Sequence, residues 1–149
     1  MIHKALAARA GIALILIVGS IGAGSALAHN SKLVAGNQYR VSVGFINEPI
    51  HTNERNGLDL AIRLAGEKDT IADLESGLRA QIIAPGGSSR RELPIRARYG
   101  HPGRYTFDVL LTEPGQYSIR VFGQIRGSAF DETFEISEVT PLEGIHFPG

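Results

Sequence analysis

From Gln38 onward, hydrophobic and polar residues alternate along the chain, and the alternating runs are bounded by Gly, Pro and Asn. QYRVSVGFIN places Tyr39, Val41, Val43 and Phe45 on one face and Arg40 and Ser42 on the other. GLDLAIRL sets Leu58, Leu60, Ile62 and Leu64 against Asp59, Ala61 and Arg63. LRAQIIAPGG is a third run, ending in a Pro-Gly-Gly turn, and RRELPIRARY turns Leu93, Ile95, Ala97 and Tyr99 inward. RYTFDVLLT, QYSIRVFGQI and SAFDETFEI complete the series. A period of two over short runs, with turn residues between them, predicts half-buried strands. About seven such strands predict an all-β, antiparallel β-sandwich. No stretch holds a helical period for three turns; TIADLESGL offers one helical turn or a short edge segment.

Two of the later strands open with the same device, HPGRYTFDV at 101–109 and EPGQYSIRV at 113–121. Pro fixes φ near −65° and Gly supplies a positive φ, which together predict a type II turn. Each Tyr then enters the core with its hydroxyl at the rim, as in the tyrosine corner of immunoglobulin-like folds. These are expected to be fold devices, not catalytic groups.

The segment before the first run has a different character. Lys4 and Arg9 precede the apolar stretch GIALILIVGSIGAGSALA, and Ala26-Leu27-Ala28 carries small residues at alternate positions. This is the pattern of a secretory signal peptide, cut after Ala28. The competing reading is an uncleaved anchor, because roughly 18 apolar residues is the lower limit for spanning a bilayer; only then is a membrane a partner. The expected layout is a signal over 1–28, an N-terminal extended segment over 29–37, the sandwich domain over 38–137 and a loose tail over 138–149. The expected location is the periplasm or the extracellular space.

Composition narrows the chemistry. The full chain has 15 basic and 15 acidic residues, and loss of Lys4 and Arg9 leaves 13 against 15. A slight acidic excess excludes the strongly basic footprint of a nucleic-acid-binding domain. There is no Cys, and the single Met is the initiator. A mature form therefore has no soft sulfur ligand for Cu(I).

The two Pro-Gly-x-Tyr corners, the opening QYRVSVGFINEP and the final hairpin VFGQIRGSAFDETFEI resemble small exported bacterial immunoglobulin-like proteins, over about residues 36 to 137. The nearest groups are the YtkA-like proteins and the CopC-type copper-binding proteins. The CopC resemblance implies a Cu(II) site built on a mature N-terminal histidine with a further His and an Asp. His29 matches that first position; no Met-rich Cu(I) site is present.

The same site follows from ligand chemistry. Cu(II) favours nitrogen ligands in tetragonal geometry, and a terminal His29 offers its α-amino group and Nδ1 in one chelate ring. Strands that alternate in direction, counted from Gln38, put His101 at the same pole as the mature N-terminus. His51, after the first counted strand, falls at the opposite pole. It stays within reach because nine residues extend roughly 30 Å. The candidate metal residues are thus His29, His101 and His51. The plainer account is a solvated terminal histidine and two exposed loop histidines.

A second candidate surface is an arginine stripe, in which Arg90, Glu92, Arg96 and Arg98 share the outward face of the fourth run. Pro94 interrupts its ladder, as suits an edge strand, and edge charges ordinarily prevent edge-to-edge pairing. The functional alternative is docking of an envelope protein or an anionic surface. The long polar loop NEPIHTNERNG, with Glu48 and Glu54, is a further candidate contact, since polar loops on a sandwich often carry function. Gly-x-Ser-x-Gly, a phosphate-cradling Gly-rich loop and His-Glu-x-x-His are all missing from the sequence. The sequence reads as a non-enzymatic binding or accessory protein.

Overall fold

The computed structural model describes residues 29–148. The leader and its cleavage point after Ala28 lie outside the described residues. Among the described residues, ten strands form two antiparallel sheets. The first contains β1 (Asn30–Val34), β2 (Tyr39–Phe45), β3 (Arg55–Leu64), β6 (Arg96–Ala97), β7 (Arg104–Thr106) and β8 (Asp108–Leu110). Its order is β1-β2-β3-β7-β6, with β8 also paired to β3. The second sheet, in order β10-β9-β4-β5, contains β4 (Leu78–Ile83), β5 (Arg90–Leu93), β9 (Ser118–Ile125) and β10 (Ser128–Glu135). The all-β sandwich expected from the alternation is the observed fold. TIADLESGL supplies a single 3-10 turn at Glu75–Gly77.

Seven runs become ten strands for three reasons. RRELPIRARY leaves the second sheet at Pro94 and continues in the first, so it contributes both β5 and β6. RYTFDVLLT breaks at Phe107, whose carbonyl accepts from the Leu58 N–H at 3.0 Å, separating β7 from β8. The third reason is that the extended segment 29–37 contributes a strand of its own. NSKLV pairs with β2, Asn30 opposite Val43 and Val34 opposite Tyr39.

The interior faces meet as the alternation requires. Val41, Val43, Phe45, Leu58, Leu60 and Ile62 of the first sheet pack against Ala80, Ile119, Val121 and Phe134 of the second, all at most 1% exposed. Each fully buried large apolar side chain contributes about 1.5–3 kcal/mol relative to exposure. The core continues beyond residue 137. Val139 is 1% exposed and exchanges backbone hydrogen bonds with Gly115 at 2.8 and 3.0 Å, so the start of the tail belongs to the sandwich.

The two Pro-Gly-x-Tyr devices do different work. Tyr117 donates to the Glu113 carbonyl at 2.9 Å, a local corner. Tyr105 donates to the Ile71 carbonyl at 2.5 Å and accepts from the Leu74 N–H at 3.2 Å, pinning the distant segment that leads into β4. Gly103 (φ +72°) makes the expected turn, closed by Arg104 N–H to the His101 carbonyl at 3.1 Å.

Candidate functional site

The outward face of the first sheet is assembled from the alternate positions of its strands. Asp59 points outward from β3, because its neighbours Leu58 and Leu60 point into the core, yet Asp59 is only 7% exposed. Three side chains cover it. Arg104, at the start of β7, places Nη1 2.7 Å from Oδ1 and 2.8 Å from Oδ2. Arg98 places Nη1 3.4 Å from Oδ1. His29 Nε2 lies 3.1 Å from Oδ2.

The imidazole reaches Asp59 because Gly44, opposite Asp59 in the register, has no side chain. A Cβ on Gly44 would stand 2.5 Å from His29 Cδ2. Burial alone would raise the pKa of Asp59, but the hydrogen bond and charge of Arg104, followed by those of His29, outweigh it. The carboxyl is held below its ordinary value of 3.8.

The added strand reverses the parity of the pole argument, which is a correction. β1 carries the chain the length of β2, so His29 lies beside Gly44, near the end that leads into the 46–54 loop. His101 lies in the turn before β7, at the opposite end of the sandwich, where Arg104 pairs with Ala61. The structure therefore does not bring His29 and His101 together. His51 is nearer the His29 end, in a bridge to Thr140, whose hydroxyl is 3.0 Å from Nδ1. Among the described residues no three His, Cys, Asp or Glu side chains are placed to hold one metal ion. Asp59 is a poor oxygen ligand for a dication, because its charge is already opposed by two guanidinium groups.

The arginine stripe is divided. Arg90 is exposed on β5 in the second sheet, whereas Arg96 and Arg98 belong to the first. Arg96 pairs with Asp108 at 3.0 Å, and its hydrogen bond and charge, with the charge of Arg55 adding to them, keep Asp108 below its ordinary pKa. Tyr99, expected to face inward, is 101% exposed, because the chain turns away from the sheet after Arg98. Glu48 is occupied structurally: it accepts from the Phe45 N–H at 3.1 Å and from the Ser137 hydroxyl at 3.4 Å. Glu54 is half-buried just before β3.

Sequence reasoning missed Asp59 and Arg104 as partners. The available signal was one carboxylate in the otherwise apolar run GLDLAI, with a side-chain-free glycine on the preceding strand. The outer face of this sheet carries Arg40, Arg55, Arg63, Arg96, Arg98 and Arg104 against Asp59 and Asp108. It is a basic face on a chain without net basic charge. No protein-family model, curated protein or solved structure matches the chain.

Proposed function

We propose that the protein is an exported, non-enzymatic binding module that docks an anionic partner on the outer face of its first sheet. One observation carries this reading: six arginines gather on that face against two carboxylates, in a chain with 15 basic and 15 acidic residues overall. A local field of one sign steers an oppositely charged partner and weakens with added salt. In this reading the docking surface consists of Arg40, Arg55, Arg63, Arg96, Arg98 and Arg104, with Arg90 on the other sheet outside it.

Retention on a sulfated polysaccharide matrix tests it. A chain of this composition has no net positive charge to hold it there, so retention reports the local face. The expected result is binding at low ionic strength, release as salt rises, and earlier elution of an Arg40→Glu/Arg96→Glu variant. Absence of retention at low salt, or elution indifferent to both salt and the substitutions, would overturn the reading.

A second reading is a Cu(II) carrier, and one feature favours it. With Nε2 of His29 directed at Asp59, Nδ1 is left for a metal, as when a ligating imidazole gives its other nitrogen to a carboxylate. Nδ1 is also the nitrogen that closes a chelate ring with a free α-amino group. The resemblance to CopC-type proteins supports the same choice. Cu(II) titration of protein beginning at His29, against protein with one extra N-terminal Ala, decides it; equal affinities would exclude the chelate.

A further inference from the structure

Two pairs of arginines lie across from each other on the outer face of the first sheet, and they differ in one respect. In the first pair, the Arg98 N–H donates to the Arg104 carbonyl at 2.8 Å, and both guanidinium groups converge on the carboxylate of Asp59. In the second pair, Arg40 on β2 stands directly opposite Arg63 on β3. Like charges in that position repel. Among the described residues neither Arg40 nor Arg63 forms an ion pair. Among the described residues, Arg40 Nη1 has only the Ser31 hydroxyl, at 3.3 Å. Arg63 Nε is shielded and, among the described residues, has no hydrogen-bond partner. Glu67 and Asp69, in the loop that follows β3, do not reach either guanidinium closely enough to pair.

An unsatisfied shielded donor costs about 1–3 kcal/mol, and the opposed charges add to it. Both costs vanish when an oxyanion lies between the two side chains. From the contrast between the pairs we infer that Arg40 and Arg63, with the Ser31 hydroxyl, form an oxyanion subsite for a carboxylate or phosphate group of the docked partner. The planar guanidinium fork presents paired N–H donors matched to either group. Engagement of Nε requires the shielded Arg63 side chain to turn toward the anion. Asp59 fills this role within the protein for Arg98 and Arg104; at Arg40 and Arg63 the acceptor comes from outside. The inference rests on the anion-docking reading and assigns it a defined pair of side chains.

The test is a titration of the purified protein followed by the arginine Nε–H resonances, at constant ionic strength. Inorganic phosphate is one arm and acetate the other. Saturable shifts of the Arg40 and Arg63 signals are expected in at least one arm, while Arg79, on the second sheet, stays still. Arg63→Lys keeps the charge but loses the fork, and is expected to weaken the fitted affinity about tenfold, the equivalent of ~1.4 kcal/mol. Saturation by phosphate alone assigns a phosphate-bearing partner; saturation by both assigns the wider carboxylate class. No saturable shift in either arm, or shifts that match Arg79, would overturn the subsite. If the protein nevertheless elutes from the polysaccharide matrix in a salt-dependent way, only the subsite falls. If that retention is absent too, the docking reading falls with it.

Discussion

Arg104 reaches both oxygens of Asp59 through a single nitrogen, at 2.7 and 2.8 Å, and so ties β7 to β3 on the outside of the sheet. The contact gives stability a defined pH dependence. The pKa of Asp59 is lowered in the folded protein from its ordinary value of 3.8. The contribution is therefore complete above the unfolded value and is lost as pH falls through the folded one. Wild-type stability is expected to drop as acid passes below about pH 4, and Asp59→Asn to remove part of that slope. At pH 7 the same substitution is expected to cost about 1.5–3 kcal/mol, the range for a hydrogen bond to a charged group. Urea denaturation of both proteins at several pH values measures it; parallel pH profiles would remove Asp59 from the account.

Gly44 governs whether His29 joins this cluster. A Cβ there would meet the imidazole at 2.5 to 2.8 Å. The obstructing atoms belong to the partly exposed His29 side chain and not to backbone, so the ring is expected to move and the strand to stay. Gly44→Ala should shift the His29 imidazole resonances to those of a solvated histidine. The midpoint of unfolding should change by less than the equivalent of about 1 kcal/mol, since one hydrogen bond is exchanged for water. Retention of the native His29 signals in that variant would show that the ring does not depend on the gap.

The two tyrosines of the Pro-Gly-x-Tyr devices are expected to differ in cost when their hydroxyls are removed. Tyr105 satisfies both the Ile71 carbonyl and the Leu74 N–H, whereas Tyr117 serves only the Glu113 carbonyl. Tyr105→Phe leaves two backbone groups unpaired and should cost about 2–4 kcal/mol, against about 1 kcal/mol for Tyr117→Phe. Amide exchange at Leu74 should quicken in the first variant only. Equal costs and an unchanged Leu74 amide would mean that the loop ahead of β4 is held by other contacts.

These comparisons also mark where the sequence is readable. Alternation finds a strand wherever one face is dry, so β2, β3, β4, β9 and β10 stand out in the chain. NSKLV carries too little of that signal: four of its five residues are exposed, with only Val34 buried. β1 is secured by contacts alternation does not encode, such as Lys32 Nζ donating to the Thr133 carbonyl at 2.8 Å across the junction with β10. Missing that strand reversed the expected pole of His29. The arginine stripe failed for a related reason: alternation continues through Pro94, but the chain changes sheet there. Alternation does place Asp59 on the outward side, opposite in sense to Leu58 and Leu60. What a period of two cannot express is that the outward side is itself covered by His29, Arg98 and Arg104.

Gly123 and Gly127 separate two costs that glycines impose on this fold. Both have positive φ, +128° and +86°. At Gly127, in the β9–β10 turn, a Cβ would meet open space, so Gly127→Ala bears only the backbone strain. That is about 1 kcal/mol or slightly more. At Gly123 the same Cβ would lie 2.1 Å from the Gly77 carbonyl oxygen, which is backbone and cannot swing aside. The strand would have to separate from the 3-10 turn that enters β4, opening the core beside Leu78, itself 4% exposed. Gly123→Ala is therefore expected to cost roughly 4 kcal/mol or more, in the range reserved for combined strain and packing defects. Side-by-side thermal unfolding of the two variants measures the difference. Equal melting temperatures would mean that β9 and the turn at Gly77 are not in the close contact described.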